Sequence, residues 1–171
     1  MSYDLDIFLP APAPDLAAYQ AFVDRTLRLR GDWKRSEIQS NLDWKFHEYH
    51  LSDRQSIADD DWDMSRTVGV WVSLGRNNDD YPDLDLPPDR FPRVLYTSTG
   101  AGRSPLSMLV QLLIPALAFD HFGPGVVVVD PQSDDPANTP RYDRKADYLA
   151  HVRRLCQHWH GDDFLRQHPI P

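Results

Sequence analysis

The sequence predicts a single α/β or α+β domain over residues 1–171, with a mixed sheet of about five strands and three main helices. The length of 171 residues fits one domain. Segments of alternating polarity indicate strands, and segments with apolar residues three or four positions apart indicate helices. Hydrophobic residues make up 41% of the chain, so a core can form without disulfides or metal.

Four segments have the pattern of strands. Residues 3–9 and 67–74 alternate between apolar and polar side chains, as half-buried strands do. Residues 93–97 form a third strand, and the four valines at 126–129 indicate a strand buried on both faces. Residues 43–51 could form either a strand or a short helix.

Three segments have helical spacing. Asp15 is a typical N-cap for the first helix, and Gly31 is a natural stop after it. Ser104, followed by proline, begins a largely apolar central helix. The last helix spans about 142–159, and we expect residues 160–171 to form a loosely packed tail.

Residues 93–129 combine a strand, the central helix and a second strand. This order is typical of a βαβ-like unit with a right-handed connection. Pro115 lies inside the central helix and should introduce a kink there, because proline cannot donate the backbone hydrogen bond of a regular helix.

The charge composition restricts the class of partner. The chain has 26 acidic and 18 basic residues, for a net charge of −8, and 24 of the acidic residues are aspartates. This charge disfavours nonspecific binding to nucleic acid or to an anionic membrane, and it is compatible with a basic protein partner. The longest apolar segment, residues 105–119, is shorter than the about 20 residues of a membrane span. A single cysteine, Cys156, and an N-terminus without a signal-peptide pattern predict a cytoplasmic protein.

Two aspartate-rich segments are the candidate partner-binding surface. The first comprises Asp59, Asp60, Asp61, Trp62 and Asp63, and the second comprises Asp79, Asp80, Tyr81, Asp83 and Asp85 in a proline-rich loop at 75–92. Neither has the central glycine of a calcium loop. Each carries an aromatic residue, the type that anchors protein interfaces. Ordinary solvated loops are the alternative interpretation.

A second candidate is an anion-binding loop between a strand and a helix. The loop is predicted at residues 98–104, and its candidate binding residues are Gly100, Gly102, Arg103 and Ser104. Free amides at a helix start, glycines and an arginine could together hold a phosphate, which would make the protein an enzyme or a small-molecule binder. The loop lacks the Gly-Lys-Ser/Thr ending of a Walker loop and the third glycine of a dinucleotide fingerprint, and an ordinary turn is the competing interpretation.

No segment has the spacing of a metal site or of a catalytic centre. His47 and His50 are three positions apart, whereas the metalloprotease pair is four apart. Asp130 follows a buried strand, a position where α/β enzymes often place acids, but the sequence gives it no base or nucleophile as a partner. His158 and His160 suit the negative end of the last helix. We therefore expect no cofactor, no metal and no enzymatic activity.

Residues 1–8 (MSYDLDIF) resemble the start of small bacterial immunity proteins of polymorphic or type VI secretion toxin systems. The segment 70–74 (VWVSL) and the aspartate-rich loops are also similar to that group. The resemblance implies a non-enzymatic cytoplasmic protein that binds and neutralises a cognate toxin. In such a protein, acidic loops would steer a basic toxin, and Trp62 and Tyr81 would supply much of the affinity.

Overall fold

The structure, a computed structural model, describes residues 2–12, 15–27, 29–35, 42–48, 70–100, 105–132 and 139–170. Its strands are β1 (Ser2–Leu9), β2 (Leu29–Arg35), β3 (Leu42–Glu48), β4 (Val70–Arg76), β5 (Arg93–Gly100), β6 (Val127–Val129) and β7 (Arg141–Tyr142). Its helices are α1 (Leu16–Leu27), α2 (Pro105–Phe122) and α3 (Lys145–Gln167). The strands form one sheet in the order β2-β3-β4-β5-β1-β6-β7. The prediction of a single α+β domain with three helices is confirmed.

The neighbouring strands of this sheet are antiparallel in every pair that the structure describes, in place of the mixed sheet that was predicted. β1 lies between β5 and β6 and pairs with both. β5 and β6 therefore run in the same direction without being neighbours, and the predicted strand–helix–strand unit is a split βαβ unit. Five strands have seven or eight residues, which matches the expected number, while β6 and β7 are short.

Several boundaries differ from the sequence prediction. β2 begins two residues after α1 ends, so Gly31 lies within a strand and pairs with Phe46. Residues 43–51 form a strand, β3, in the part that the structure describes. The last helix begins at Lys145, because the residues expected to start it form β7 and extend the sheet.

The C-terminal segment 160–171 was expected to be a loosely packed tail, and in the structure residues 160–167 belong to α3. α3 continues through Gly161, where a φ of 77° interrupts the regular helix. Beyond this point, Phe164 and Ile170 contact the main core. The packing of Phe164 against the core supports the part of α3 that extends past the predicted end.

α2 continues through Pro115 as one helix. Two buried tyrosines bind carbonyls of the helix just before this proline. The Tyr19 hydroxyl donates to the Ile114 carbonyl, and the Tyr148 hydroxyl donates to the Leu112 carbonyl, both at 2.8 Å. These bonds attach α1 and α3 to α2, and they satisfy polar groups that would be costly to bury alone.

The three helices cover one face of the sheet. Leu5, Ile7 and Leu9 of β1 are fully buried there, in the cluster that includes residues of all three helices. Phe8 points to the other face, because successive side chains of a strand alternate. No helix in the described part of the chain combines the length and the apolar character needed to cross a membrane.

The opposite side of the sheet, called the outer face below, carries a second, smaller core. Its buried members are Phe8, Leu86, Phe91, Val94, Val127 and Val129. Leu86 and Phe91 belong to the segment between β4 and β5. That segment, residues 77–92, is called the acidic loop below, and its packing places the second aspartate-rich segment on the outer face.

Candidate functional site

The acidic loop is held against the outer face by its own apolar side chains. Leu86 and Phe91 are buried, and the Phe91 ring meets the Phe8 ring edge-on with their centroids 6.2 Å apart. The Ala11 amide donates to the Arg90 carbonyl at 3.1 Å. The end of the loop is therefore fixed by β1 and by the residues directly after it.

Buried Asn77 fixes the start of the loop. Its side-chain amide donates to the Leu86 carbonyl at 2.7 Å, and its side-chain oxygen accepts the Asp79 amide at 2.9 Å. Its own backbone amide donates to the Pro92 carbonyl at 3.3 Å. Because the Asn77 side chain binds both Asp79 and Leu86, this part of the loop has a defined conformation.

The middle of the loop is a short 3-10 turn, Pro82–Leu84. Asp79 precedes it and Asp85 follows it, and both have left-handed backbone conformations, with φ of 61° and 50°. Aspartate and asparagine adopt this conformation more readily than most residues. Arg141 of β7 donates to the Leu84 carbonyl, which attaches the turn to the edge of the sheet.

Tyr81 fastens the loop to the centre of the sheet. Its hydroxyl donates to the Asp6 carboxylate at 2.5 Å, and its ring meets Phe8 edge-on at a centroid distance of 5.9 Å. The side chain is half-buried. Tyr81 was predicted to anchor a partner, and in the structure its hydroxyl and part of its ring are engaged within the protein.

Asp6 is a buried carboxylate beneath the acidic loop. It is 7% exposed. Burial raises its pKa from the ordinary 3.8 to about 6, the hydrogen bond from Tyr81 opposes this rise, and the charges of Asp4 and Asp80 add to it. Burial also raises the pKa of the Tyr81 hydroxyl well above its usual range, so this group remains a donor at physiological pH.

The loop presents a concentrated negative charge. Its exposed carboxylates are Asp79, Asp80, Asp83, Asp85 and Asp89. Within the described ranges, none of them forms an ion pair with a basic side chain. The structure thus brings Asp79, Asp80, Tyr81, Asp83 and Asp85 together on one loop of fixed shape.

Most of the other predicted site residues are not among those that the structure describes. Asp59, Asp60, Asp61, Trp62 and Asp63 lie outside the residues that the structure describes, as do Gly102, Arg103 and Ser104. Of the predicted loop at 98–104, residues 98–100 are described, and they form the end of β5 instead of a loop, with Gly100 as its last residue.

A second polar cluster joins residues that sequence reasoning left separate. Asp130 is 1% exposed, and one of its carboxylate oxygens accepts the Tyr3 hydroxyl at 2.6 Å and contacts His151 Nε2 at 2.9 Å. The other oxygen accepts the Gln132 amide at 3.1 Å. The ring of Tyr142 stacks on His151 with centroids 4.9 Å apart.

This cluster links β1, the end of β6 and α3. Three partners satisfy the Asp130 carboxylate, as a buried charge requires. Its contacts include no serine, threonine or cysteine that His151 could activate, within the part of the chain that is described. The sequence signals were an acid at the end of a buried strand and a histidine on the last helix, but their pairing depends on tertiary structure. The arrangement supports a structural role.

The described residues contain neither a candidate metal-binding group nor a reactive thiol. No group of three or more histidine, cysteine, aspartate or glutamate side chains there is arranged to hold a metal ion. Cys156 is buried, and burial raises the pKa of its thiol to about 11. It therefore remains a protonated core residue at neutral pH.

No protein-family model matches this chain, and no curated protein or solved structure shows significant similarity to it. Its function is therefore inferred from the acidic loop and the geometry that fixes it.

Proposed function

We propose that this protein is a non-enzymatic binding protein of the cytoplasm, of the immunity type, whose acidic loop binds a basic surface of a cognate toxin. One observation carries the proposal: five exposed aspartates lie on a loop whose backbone is fixed at its start, middle and end. A fixed acidic surface is suited to a basic protein partner.

The charge of the loop is not explained by folding. Exposed ion pairs contribute about 0–1 kcal/mol each to stability, and these carboxylates form none within the described ranges. The loop is instead held by Leu86, Phe91, Asn77 and Tyr81. The exposed aspartates between these anchors are therefore accessible for binding to a partner.

Rigidity favours binding for a thermodynamic reason. A loop that is already ordered loses little conformational entropy when a partner binds. Clustered carboxylates also attract a basic protein during diffusion and raise the association rate. These two properties support an inhibitor that must capture a toxin quickly and hold it.

The test uses two sets of substitutions with equal charge change. The loop set replaces Asp79, Asp80, Asp83 and Asp85 by asparagine, which tolerates the left-handed conformation at two of these positions. The control set replaces Asp120, Asp147, Asp162 and Asp163, exposed residues of α2 and α3, by asparagine. The neighbouring genes are searched for a secreted toxin, each variant is co-expressed with that toxin, and growth and affinity are measured.

We expect the control set to protect cells and to bind like the parent. The loop set should lose protection and bind at least about tenfold more weakly, with little change in folding stability. Equal binding by the loop set and the parent would show that the interface lies elsewhere. The absence of any toxin that binds the parent protein would overturn the proposed function.

A further inference from the structure

Asp6 is an unusual residue to place beneath an acidic loop. The strand position requires no acid there: its neighbour in register on β6 is Val129, and the adjoining Phe8 belongs to the outer-face core. A neutral acceptor at this position could also receive the Tyr81 hydroxyl, although a carboxylate accepts it more strongly. The carboxylate adds a property that a neutral acceptor lacks, namely a charge that depends on pH.

The two carboxylates that face Asp6 oppose its negative charge, whereas the Tyr81 hydroxyl favours it. Asp4 faces it from the same strand, and Asp80 faces it from the acidic loop. Tyr96 of β5 is its partner in register, and burial raises the pKa of this tyrosine to about 12, so it stays neutral. Two arginines lie at the loop without pairing with Asp6 in the described contacts: Arg141 donates to the Leu84 carbonyl, and Arg90 lies over the Phe91 ring.

We propose that Asp6 is a proton-responsive tether of the acidic loop, which holds the loop more firmly, and the partner more weakly, under mildly acidic than under neutral conditions. The first half of this inference concerns the protein alone. The second half rests on the proposed function.

The first half follows from linkage. When the loop is attached, Asp6 is buried and has a pKa of about 6. If the loop detaches, water reaches the carboxylate and its pKa returns towards about 3.9. Between these values the attached state binds more protons, so acid favours attachment. For these two pKa values, the attachment equilibrium is about tenfold more favourable at pH 5 than at pH 7.

The second half follows from the charge of the partner. A basic side chain near Asp80 and the loop lowers the pKa of Asp6, because a nearby positive charge favours the ionised form. Binding then releases a proton at mildly acidic pH. Affinity should rise by about five- to tenfold between pH 5 and pH 7.

The first experiment needs no partner. The side-chain carboxyl of Asp6 is followed by carbon NMR as pH is varied, and amide exchange of the loop is measured at pH 5 and pH 7, corrected for the intrinsic pH dependence of exchange. We expect a titration midpoint near 6 and about tenfold greater protection of the Asp79 and Leu84 amides at pH 5. A midpoint near the ordinary value of about 3.9, or protection that does not change with pH, would overturn the tether.

Three variants make this test specific. Asp6→Asn keeps an acceptor for Tyr81 and should abolish the change in loop protection. Tyr81→Phe removes the bond that favours the ionised form, so the Asp6 midpoint should rise. Asp4→Asn is the matched control, the same chemical change two residues away on the same face, and it should lower the midpoint slightly while keeping the pH response. If loop protection still changes with pH in Asp6→Asn, a group other than Asp6 causes the change.

The second experiment measures affinity for the toxin at pH 5 and pH 7. We expect the parent to bind about five- to tenfold more weakly at pH 5, and Asp6→Asn to lose most of this difference. An affinity that is independent of pH, with the NMR and exchange results as expected, would overturn only the partner half. Failure to find any partner would overturn the proposed function, but it would not contradict the pH-dependent attachment of the loop by Asp6.

Discussion

Replacing Asp6 by asparagine should stabilise this protein at neutral pH. Asparagine has nearly the shape of aspartate, and its side-chain oxygen can accept the Tyr81 hydroxyl that Asp6 now accepts. It carries no charge. The substitution therefore removes a buried negative charge and leaves the packing against the acidic loop in place.

The magnitude follows from the pKa of Asp6, which rises from 3.8 to about 6 on folding. Each pKa unit corresponds to about 1.36 kcal/mol, so the ionised carboxylate lowers the free energy of unfolding by about 3 kcal/mol. Because the folded pKa is the higher one, the native state binds more protons between pH 4 and pH 6. The contribution of the neutral acid is complete below about pH 4 and is lost as pH rises through 6.

The assay is urea denaturation of the parent and of Asp6→Asn at intervals between pH 4 and pH 8. We expect the two proteins to differ little at pH 4, and the variant to be more stable by about 3 kcal/mol above pH 7. The difference between them, rather than either curve alone, isolates Asp6 from the other aspartates. A difference that is constant with pH, or a variant less stable than the parent at pH 7.5, would refute the reasoning.

Three further substitutions test other parts of the structure by urea denaturation. Tyr3→Phe removes the hydroxyl that binds the buried Asp130 carboxylate and should cost about 1.5–3 kcal/mol; a loss below 0.5 kcal/mol would contradict the bond. Tyr19→Phe removes a bond to a carbonyl of α2 and should cost about 1 kcal/mol, whereas an unchanged stability would show that the carbonyl finds another partner. Gly75→Ala would place a Cβ 2.6 Å from the Tyr96 ring, so that the ring must move; we expect a loss of about 1–3 kcal/mol and a shifted Tyr96 NMR signal, and an unperturbed ring would count against this contact.

Local patterns were sufficient to predict much of the fold. β1 and β5 were found because their alternation, or their β-branched and aromatic content, is strong over several residues. β2 was missed although it also alternates, because Gly31 was interpreted as a helix stop. In the structure Gly31 pairs with Phe46 across the sheet, a contact that the local sequence does not reveal.

In the candidate site, too, local features were predictable from the sequence, whereas tertiary contacts were not. The exposed aspartates of the acidic loop were predicted, because charge and proline content are local properties. The attachment of Tyr81 to Asp6 was not predictable, since the two residues are 75 positions apart and meet only when the loop folds back over β1. The contact of Tyr3 with Asp130 spans 127 positions and likewise depends on tertiary packing.

The most direct test of the binding proposal is the rate constant of association between this protein and the proposed toxin partner, measured over a range of salt concentrations. If the acidic loop steers a basic partner, the parent rate should fall steeply with salt, because salt screens exposed charges. The variant with asparagine at 79, 80, 83 and 85 should associate more slowly at low salt and with a shallower salt dependence. The control variant in α2 and α3 should stay close to the parent. Identical rates and slopes for the loop variant and the parent would contradict the claim that this loop binds the partner.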